Sequence, residues 1–119
     1  MKKILVVDDS PTERFFLQEL LAKAGYAVIT AENGEQAVAR ARSDSPDLIL
    51  MDVVMPGLNG FQATRQITRA PETAHIPVFI CTTKDQETDK IWGSRQGAKG
   101  YLVKPVDGDE LIRKIAELG

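Results

Sequence analysis

Residues 48–52 read Leu48-Ile49-Leu50-Met51-Asp52, an apolar run that ends in an aspartate. The start of the chain has the same form, because Ile4-Leu5-Val6-Val7 is followed by Asp8 and Asp9. Apolar runs of this length are typical of short strands that are buried on both faces of a parallel sheet. Parallel strands end at one edge of the sheet, where ligands bind, so the three aspartates are predicted to lie close together there.

Strand-like and helix-like segments alternate along the whole chain. Five strands are predicted near residues 3–7, 26–30, 47–51, 77–81 and 100–103. Five helices are predicted near residues 11–24, 35–43, 60–69, 86–96 and 108–118. This alternation predicts a flavodoxin-like α/β fold, a single doubly wound five-stranded parallel sheet of order 2-1-3-4-5 with five helices. The 119 residues are expected to form one domain, 1–119.

The first predicted helix begins after Ser10, its expected N-cap, and ends at Gly25. Its helical period predicts a buried apolar face made of Phe16, Leu17, Leu20, Leu21 and Ala24. Phe15 falls on the opposite side of the helix, where it is either a single exposed aromatic or part of a docking surface.

Composition excludes several classes of function. The formal net charge is −2 and no basic cluster is present, so no nucleic-acid partner is expected. No apolar stretch approaches the roughly 18 residues that span a bilayer, so no membrane insertion is expected. The single cysteine excludes an internal disulfide and fits a reducing compartment, which favours a cytoplasmic protein.

Polar residues also mark the ends of the last two strands, Thr82-Thr83 and Lys104. Clustered carboxylates repel one another unless a cation compensates them, and a small set of hard oxygen ligands favours Mg²⁺. The combination predicts phosphoryl transfer. In that chemistry Asp52 is the nucleophile that forms an aspartyl phosphate, Lys104 neutralises a phosphoryl oxygen and Thr82 donates its hydroxyl to another.

At these residues the chain resembles the receiver domains of two-component response regulators, a family that includes the chemotaxis receivers. The matching motifs are Val7-Asp8-Asp9-Ser10, residues 52–60 (Asp-Val-Val-Met-Pro-Gly-Leu-Asn-Gly), Thr82-Thr83 and residues 100–105 (Gly-Tyr-Leu-Val-Lys-Pro). The resemblance implies that Asp52 accepts a phosphoryl group from the phosphohistidine of a sensor histidine kinase. It also implies Mg²⁺ bound by Asp9, Asp52 and the Val54 backbone carbonyl, with Asp8 in contact through water.

The resemblance further implies a conformational switch. In the family, the threonine that matches Thr82 moves towards the phosphoryl group while the aromatic that matches Tyr101 turns inward. The fourth helix, fifth strand and fifth helix then present an altered surface to a downstream protein target. Val54, Thr83 and Lys84 occupy positions that bear on the lifetime of the phosphorylated state. Val54 has no polar group to orient an attacking water, which predicts slow self-dephosphorylation.

A narrower resemblance is carried by residues 9–13, 55–66 and 82–90, which are similar to the stand-alone PilH-type receivers of bacterial twitching motility. Those receivers serve a chemotaxis-like pathway that controls type IV pili. The chain ends one residue past the fifth predicted helix, so a regulator without its own output domain, monomeric or weakly dimeric, is expected. Its phosphotransfer would be directed only at itself, so it is not expected to be an enzyme.

Three alternatives stay open. The protein would either signal through a protein partner or act as a phosphate sink for a companion receiver. A hydrolase of the haloacid dehalogenase type also uses an aspartate nucleophile and Mg²⁺, but its Asp-x-Asp pattern would need a second aspartate where Val54 stands. A flavodoxin-like FMN binder would place a phosphate beside the first loop, where Asp8 and Asp9 would repel it.

Overall fold

A computed structural model describes residues 2–83, 91 and 94–118. The described residues form five strands and four helices. In chain order these are β1 (Lys3–Val7), α1 (Pro11–Lys23), β2 (Ala27–Ala31), α2 (Gly34–Asp44), β3 (Leu48–Asp52), α3 (Gly60–Arg69), β4 (Val78–Thr82), β5 (Gly100–Val103) and α4 (Gly108–Glu117). The helix predicted near 86–96 falls largely outside the described residues, so four of the five predicted helices are observed.

The strands form one parallel sheet of order β2-β1-β3-β4-β5, which confirms the predicted topology. Three strands end one residue later than predicted. Asp52 and Thr82 are the last residues of β3 and β4, in register with Cys81 and Val103 respectively. The polar side chains at these positions leave the backbone groups free to pair, so the ladder continues through them.

Two apolar clusters cover the two faces of the sheet. Leu5 and Val7 of β1 belong to the cluster under α2 and α3, whereas Ile4 and Val6 belong to the cluster under α1 and α4. This alternation follows from the two-residue period of a strand. Every residue of β3 and β4 is buried, as expected for the centre of a sheet covered on both faces. None of the described helices is long and apolar enough to cross a membrane.

The predicted helix signals are present, but the predicted face of α1 is too wide. Ser10 Oγ accepts from the Glu13 N–H, and Gly25 follows the helix with a φ of 93°. Only Leu17 and Leu21 of α1 are fully buried, whereas Phe16 is 47% exposed and Phe15 is 64% exposed. The prediction that Phe16 and Ala24 belong to a buried face was therefore wrong, because α1 contacts the sheet through a narrower stripe than its apolar sequence suggests.

Burial of Cys81 generates a pH-dependent prediction. Its side chain is inaccessible, and burial raises the pKa of the thiol to about 12. A thiol in an unfolded chain has a pKa of about 8.5, so the folded state loses stability as the pH rises above that value. Between pH 7 and pH 10, the wild-type protein is expected to lose about 2 kcal/mol more of its free energy of unfolding than Cys81→Ala loses. Urea unfolding without divalent cations measures both losses, and equal losses would contradict the prediction.

Candidate functional site

The register of β1 and β3 brings two carboxylates together at the carboxyl edge of the sheet. Val7 is in register with Met51, so the residues that follow, Asp8 and Asp52, end neighbouring strands at the same level. Both side chains continue the rows that face α1 and α4, because they lie two residues beyond Val6 and Leu50. Both are buried, at 2% and 7% exposure. Each apolar strand therefore delivers one carboxylate to a buried position.

Lys104 bridges these two carboxylates. Its Nζ donates to Asp8 Oδ2 at 2.7 Å and to Asp52 Oδ1 at 2.9 Å. Lys104 follows β5, and its backbone N–H donates to the Thr82 carbonyl at 2.7 Å, which continues the ladder past the end of the strand. The side chain is only about a tenth exposed. Residues that are 96 and 52 positions apart in the chain thus meet in one buried ion-pair network.

The pKa values within this network follow from burial and charge. Burial raises the pKa of Asp52, and the negative charge of Asp8 adds to that effect, while the hydrogen bond and charge of Lys104 oppose it. Burial alone would lower the pKa of Lys104, but its hydrogen bonds to Asp8 and Asp52 raise it above its ordinary value. Lys104 is therefore a permanent cation at neutral pH.

Asp9 adds a third carboxylate on the solvent side. One carboxylate oxygen from each of Asp8, Asp9 and Asp52 lies within 4.8 Å of the other two. Three carboxylates and one ammonium leave two negative charges uncompensated, which matches a divalent cation. Only hard oxygen donors are offered, and one of the three carboxylates is open to solvent, which suits Mg²⁺ because this ion retains several waters. The residues present fit the predicted metal.

Arg14 holds the turn that carries Asp8 and Asp9. Its Nη1 donates to the backbone carbonyl of Asp8 at 2.7 Å, and its Nη2 lies 3.5 Å from Glu32 Oε1 after β2. Asp8 Oδ1 also accepts from the Ser10 N–H at 2.9 Å, which closes the turn locally. Sequence reasoning missed Arg14. The available signal was its position one helical turn after the N-cap of α1, from which a long side chain reaches back over the strand end.

Residues 53–59 form the β3–α3 loop, which follows Asp52 and contains Val54. Val54 itself is 68% exposed. Gly60 packs so closely on the end of β3 that a Cβ there would collide with the Asp52 carbonyl oxygen. Asn59 and Gln62 form a capping box that starts α3, each side chain accepting from the backbone N–H of the other residue. The loop is therefore anchored where α3 begins.

The remaining predicted residues surround this cluster. Thr82 ends β4 and is buried, whereas Thr83 is exposed. Tyr101 is half-buried and packs against the apolar cluster under α2 and α3. Lys84 lies outside the described residues. The structure thus assembles Asp8, Asp9, Asp52 and Lys104 directly, while Thr82 and Tyr101 lie on the two strands beside them.

The sequence pattern of the response regulator receiver domain matches residues 4–116. The chain belongs to this family. It is 62% identical to the protein PilH of Pseudomonas aeruginosa over 97% of this chain and 95% of that protein. The receiver is thus similar to PilH over almost all of both chains, which confirms the resemblance to PilH-type receivers and to response regulators of two-component signalling.

Solved receiver structures share the fold. The chemotaxis protein CheY4 of Vibrio cholerae superposes with a TM-score of 0.92 at 34% identity, covering 98% of each chain. The receiver domain of a sensor histidine kinase from Pseudomonas aeruginosa superposes with a TM-score of 0.90 at 32% identity, covering 98% of this chain and 95% of that one. That structure has a magnesium ion coordinated in its active-site cleft.

The Lys104 bridge generates a stability prediction. Lys104→Met would leave the buried carboxylates of Asp8 and Asp52 without their shared cation, so the free energy of unfolding at pH 7 is expected to fall by about 3 kcal/mol. Urea unfolding in the absence of divalent cations measures the change. Lys99→Met is the matched control, because Lys99 is exposed, and it is expected to change stability by less than about 0.5 kcal/mol. If both variants lose the same free energy of unfolding, the Lys104 bridge stabilises the fold no more than an exposed lysine does.

Proposed function

We propose that this receiver accepts a phosphoryl group on Asp52 from the phosphohistidine of a sensor histidine kinase, in a Mg²⁺-dependent reaction. The proposal is carried by one observation, the buried bridge of Lys104 between Asp8 and Asp52. Asp52 also satisfies the geometric demand on a phosphoacceptor, because it lies at the carboxyl edge of the sheet in contact with both the ammonium and the acidic cluster.

Asp52 acts as the nucleophile. A carboxylate oxygen attacks phosphorus, a new O–P bond forms, and the N–P bond of the phosphohistidine breaks with its electron pair returning to the imidazole nitrogen. An ionised carboxylate needs no general base for this attack. Burial raises the pKa of Asp52, whereas the hydrogen bond and charge of Lys104 favour its ionised form. The product is an aspartyl phosphate and a free histidine on the donor.

Lys104 and Thr82 stabilise the transferred group. The ammonium already lies 2.9 Å from an Asp52 oxygen, so it is within reach of a phosphoryl oxygen bound there. Thr82 at the end of β4 would donate its hydroxyl to a second oxygen. This contact would draw Thr82 towards Asp52 and let Tyr101 turn inward, which is the proposed switch. Thr83 and Lys84, the two residues that follow Thr82 in the sequence, would modulate access to the group.

Magnesium would be held by Asp9, Asp52 and the Val54 backbone carbonyl, with Asp8 contributing through water. A divalent cation held there would supply positive charge that offsets the negative charge of the transferred group. The acidic cluster supports this assignment because its two uncompensated charges match a divalent cation. The magnesium ion of the related kinase receiver supports it independently.

The proposed output is a protein partner in chemotaxis-like control of type IV pilus twitching motility. The similarity to PilH supports this pathway. The partner surface would comprise the segment near 86–96, β5 and α4. Residues 1–119 would form one receiver domain of a cytoplasmic regulator, which would be a monomer or weak dimer. A phosphate-sink role for a companion receiver is the second proposal, and it needs the same chemistry at Asp52.

Intact mass spectrometry after incubation with Mg²⁺ and acetyl phosphate tests the acceptor. Wild-type protein is expected to gain a single phosphoryl group, and the gain should disappear in EDTA and in Asp52→Asn. Asp44→Asn is the control, because it removes the same charge from α2 at a surface ion pair with Arg40. A phosphoryl group retained in Asp52→Asn would place the acceptor elsewhere. If the wild-type protein binds Mg²⁺ but gains no mass, the prediction that acetyl phosphate phosphorylates it would be wrong.

Val54→Asn tests the lifetime of the phosphorylated state. The Val54 side chain is exposed beside the acceptor and offers no hydrogen bond to water, whereas asparagine would orient a water for attack on phosphorus. Loss of the phosphoryl mass with time is expected to be roughly 10-fold faster in Val54→Asn, the effect of about 1.4 kcal/mol from one hydrogen bond to the attacking water. Val54→Leu is the control, because leucine has nearly the branching and size of asparagine but no polar group, and an unchanged or slower decay in Val54→Asn would refute the assignment.

A further inference from the structure

The orientation of the Val54 carbonyl depends on the backbone of the β3–α3 loop. At the start of the loop, the Gly60 N–H donates to the Val53 carbonyl at 3.0 Å. Met55, at 7% exposure, is buried in the apolar cluster under α2 and α3. Val54 lies between these two fixed residues with its own side chain exposed. Because the exposed Val54 side chain makes little packing contact, the direction of the Val54 carbonyl depends on how firmly the rest of the loop is held.

The far end of the loop is held by Glu35, the second residue of α2. Glu35 Oε1 accepts from the Leu58 N–H at 2.6 Å, a short bond of the charge-assisted kind. Gly57 has a φ of 73°, and a Cβ there would lie 3.0 Å from Glu35 Oε1. Glycine at this position thus permits both the left-handed backbone and the close approach of the carboxylate.

The start of α2 makes a second contact with the same part of the loop. Gly34 packs against Leu58 so closely that a Cβ would collide with the Leu58 carbonyl oxygen. Leu58 is itself half-buried against the cluster under α2 and α3. The backbone of Leu58 is therefore restrained at two points. Its carbonyl packs against Gly34, and its N–H donates to the Glu35 carboxylate.

We propose that Glu35 is a positioning residue for the magnesium site. By binding the Leu58 N–H, it restrains the β3–α3 loop and so fixes the Val54 carbonyl towards Asp9 and Asp52. The inference rests on the proposed function, because it takes the acidic cluster to hold Mg²⁺. Glu35 lies outside that cluster, and α2 packs on the face of the sheet opposite to the Asp8 and Asp52 side chains. It therefore acts on the metal through the loop backbone.

Three variants of the full chain separate this role from a general effect of charge. Glu35→Ala removes the acceptor, whereas Glu35→Gln keeps an oxygen that can accept from Leu58. Asp109→Ala is the matched control, because Asp109 is also the second residue of its helix, is exposed and follows a glycine. Because Glu35 and Asp109 are both exposed, all three variants are expected to fold, and urea unfolding checks that they do.

Magnesium affinity is measured by following backbone amide signals during a Mg²⁺ titration. Glu35→Ala is expected to bind Mg²⁺ about 10-fold more weakly than wild type, the lower end of the range for groups that orient metal ligands. Glu35→Gln is expected to stay within about 3-fold and Asp109→Ala within about 2-fold. Hydrogen exchange without Mg²⁺ gives a second readout, in which the Leu58 amide is expected to lose protection in Glu35→Ala and keep most of it in Glu35→Gln.

Unchanged Mg²⁺ affinity in Glu35→Ala would overturn the inference and leave the proposed function standing. Equal weakening in Glu35→Gln, or in Asp109→Ala, would also overturn it, because either result would assign the effect to charge and not to the Leu58 hydrogen bond. A wild-type protein that does not bind Mg²⁺ would overturn the proposed function and the inference together.

Discussion

Two carboxylates buried side by side at the ends of neighbouring strands repel each other, and in this receiver Lys104 is the cation that both of them bind. The burial of Asp8 and Asp52 follows from the continuous apolar strands that carry them. Removing charged groups from water is costly unless they are paired and hydrogen-bonded. The ion pair can form only if β1, β3 and β5 end at the same level of the sheet. It therefore constrains the relative positions of these three strand ends.

The site combines this buried pairing with an incomplete charge balance. Lys104 compensates one of three negative charges, and Asp9 remains exposed beside the buried pair. A fully neutral cluster would have little affinity for a cation, and a cluster without Lys104 would be harder to bury. The arrangement leaves two negative charges that a divalent cation would match, and under the proposed function it would place Lys104 beside the added charge of a phosphoryl group.

Much of this arrangement was predictable because it depends on local pattern and on strand topology. Apolar runs such as residues 48–51 identify the strands, and the common edge of a parallel sheet then brings their polar ends together. The contacts of Arg14 and Glu35 were not predictable in the same way. Glu35 on α2 binds a loop that is distant in the chain, and Arg14 on α1 reaches back to the turn that precedes its own helix. A glutamate in a first helical turn is also favoured by the helix dipole, so the sequence position of Glu35 alone does not indicate its contact with the loop.

The exposure of Phe16 escaped prediction for a related reason. Helical periodicity shows which residues share a face, but it does not show how much of that face the neighbouring elements cover. α1 lies on the sheet through Leu17 and Leu21, and Phe16 stands outside that stripe. The helix predicted near 86–96 falls largely outside the described residues.

The position of β5 in the sheet has a mechanical consequence. Within the described residues, β5 is an edge strand of four residues that pairs only with β4, whereas β1 and β3 pair on both sides. Strands held on one side open at lower free energy than central strands. The same short strand supplies Tyr101 to one face of the sheet and leads into Lys104 on the other. Tyr101 and Lys104 therefore depend on one edge strand, so a small displacement of β5 would move groups on both faces of the sheet at once while the central strands stay still.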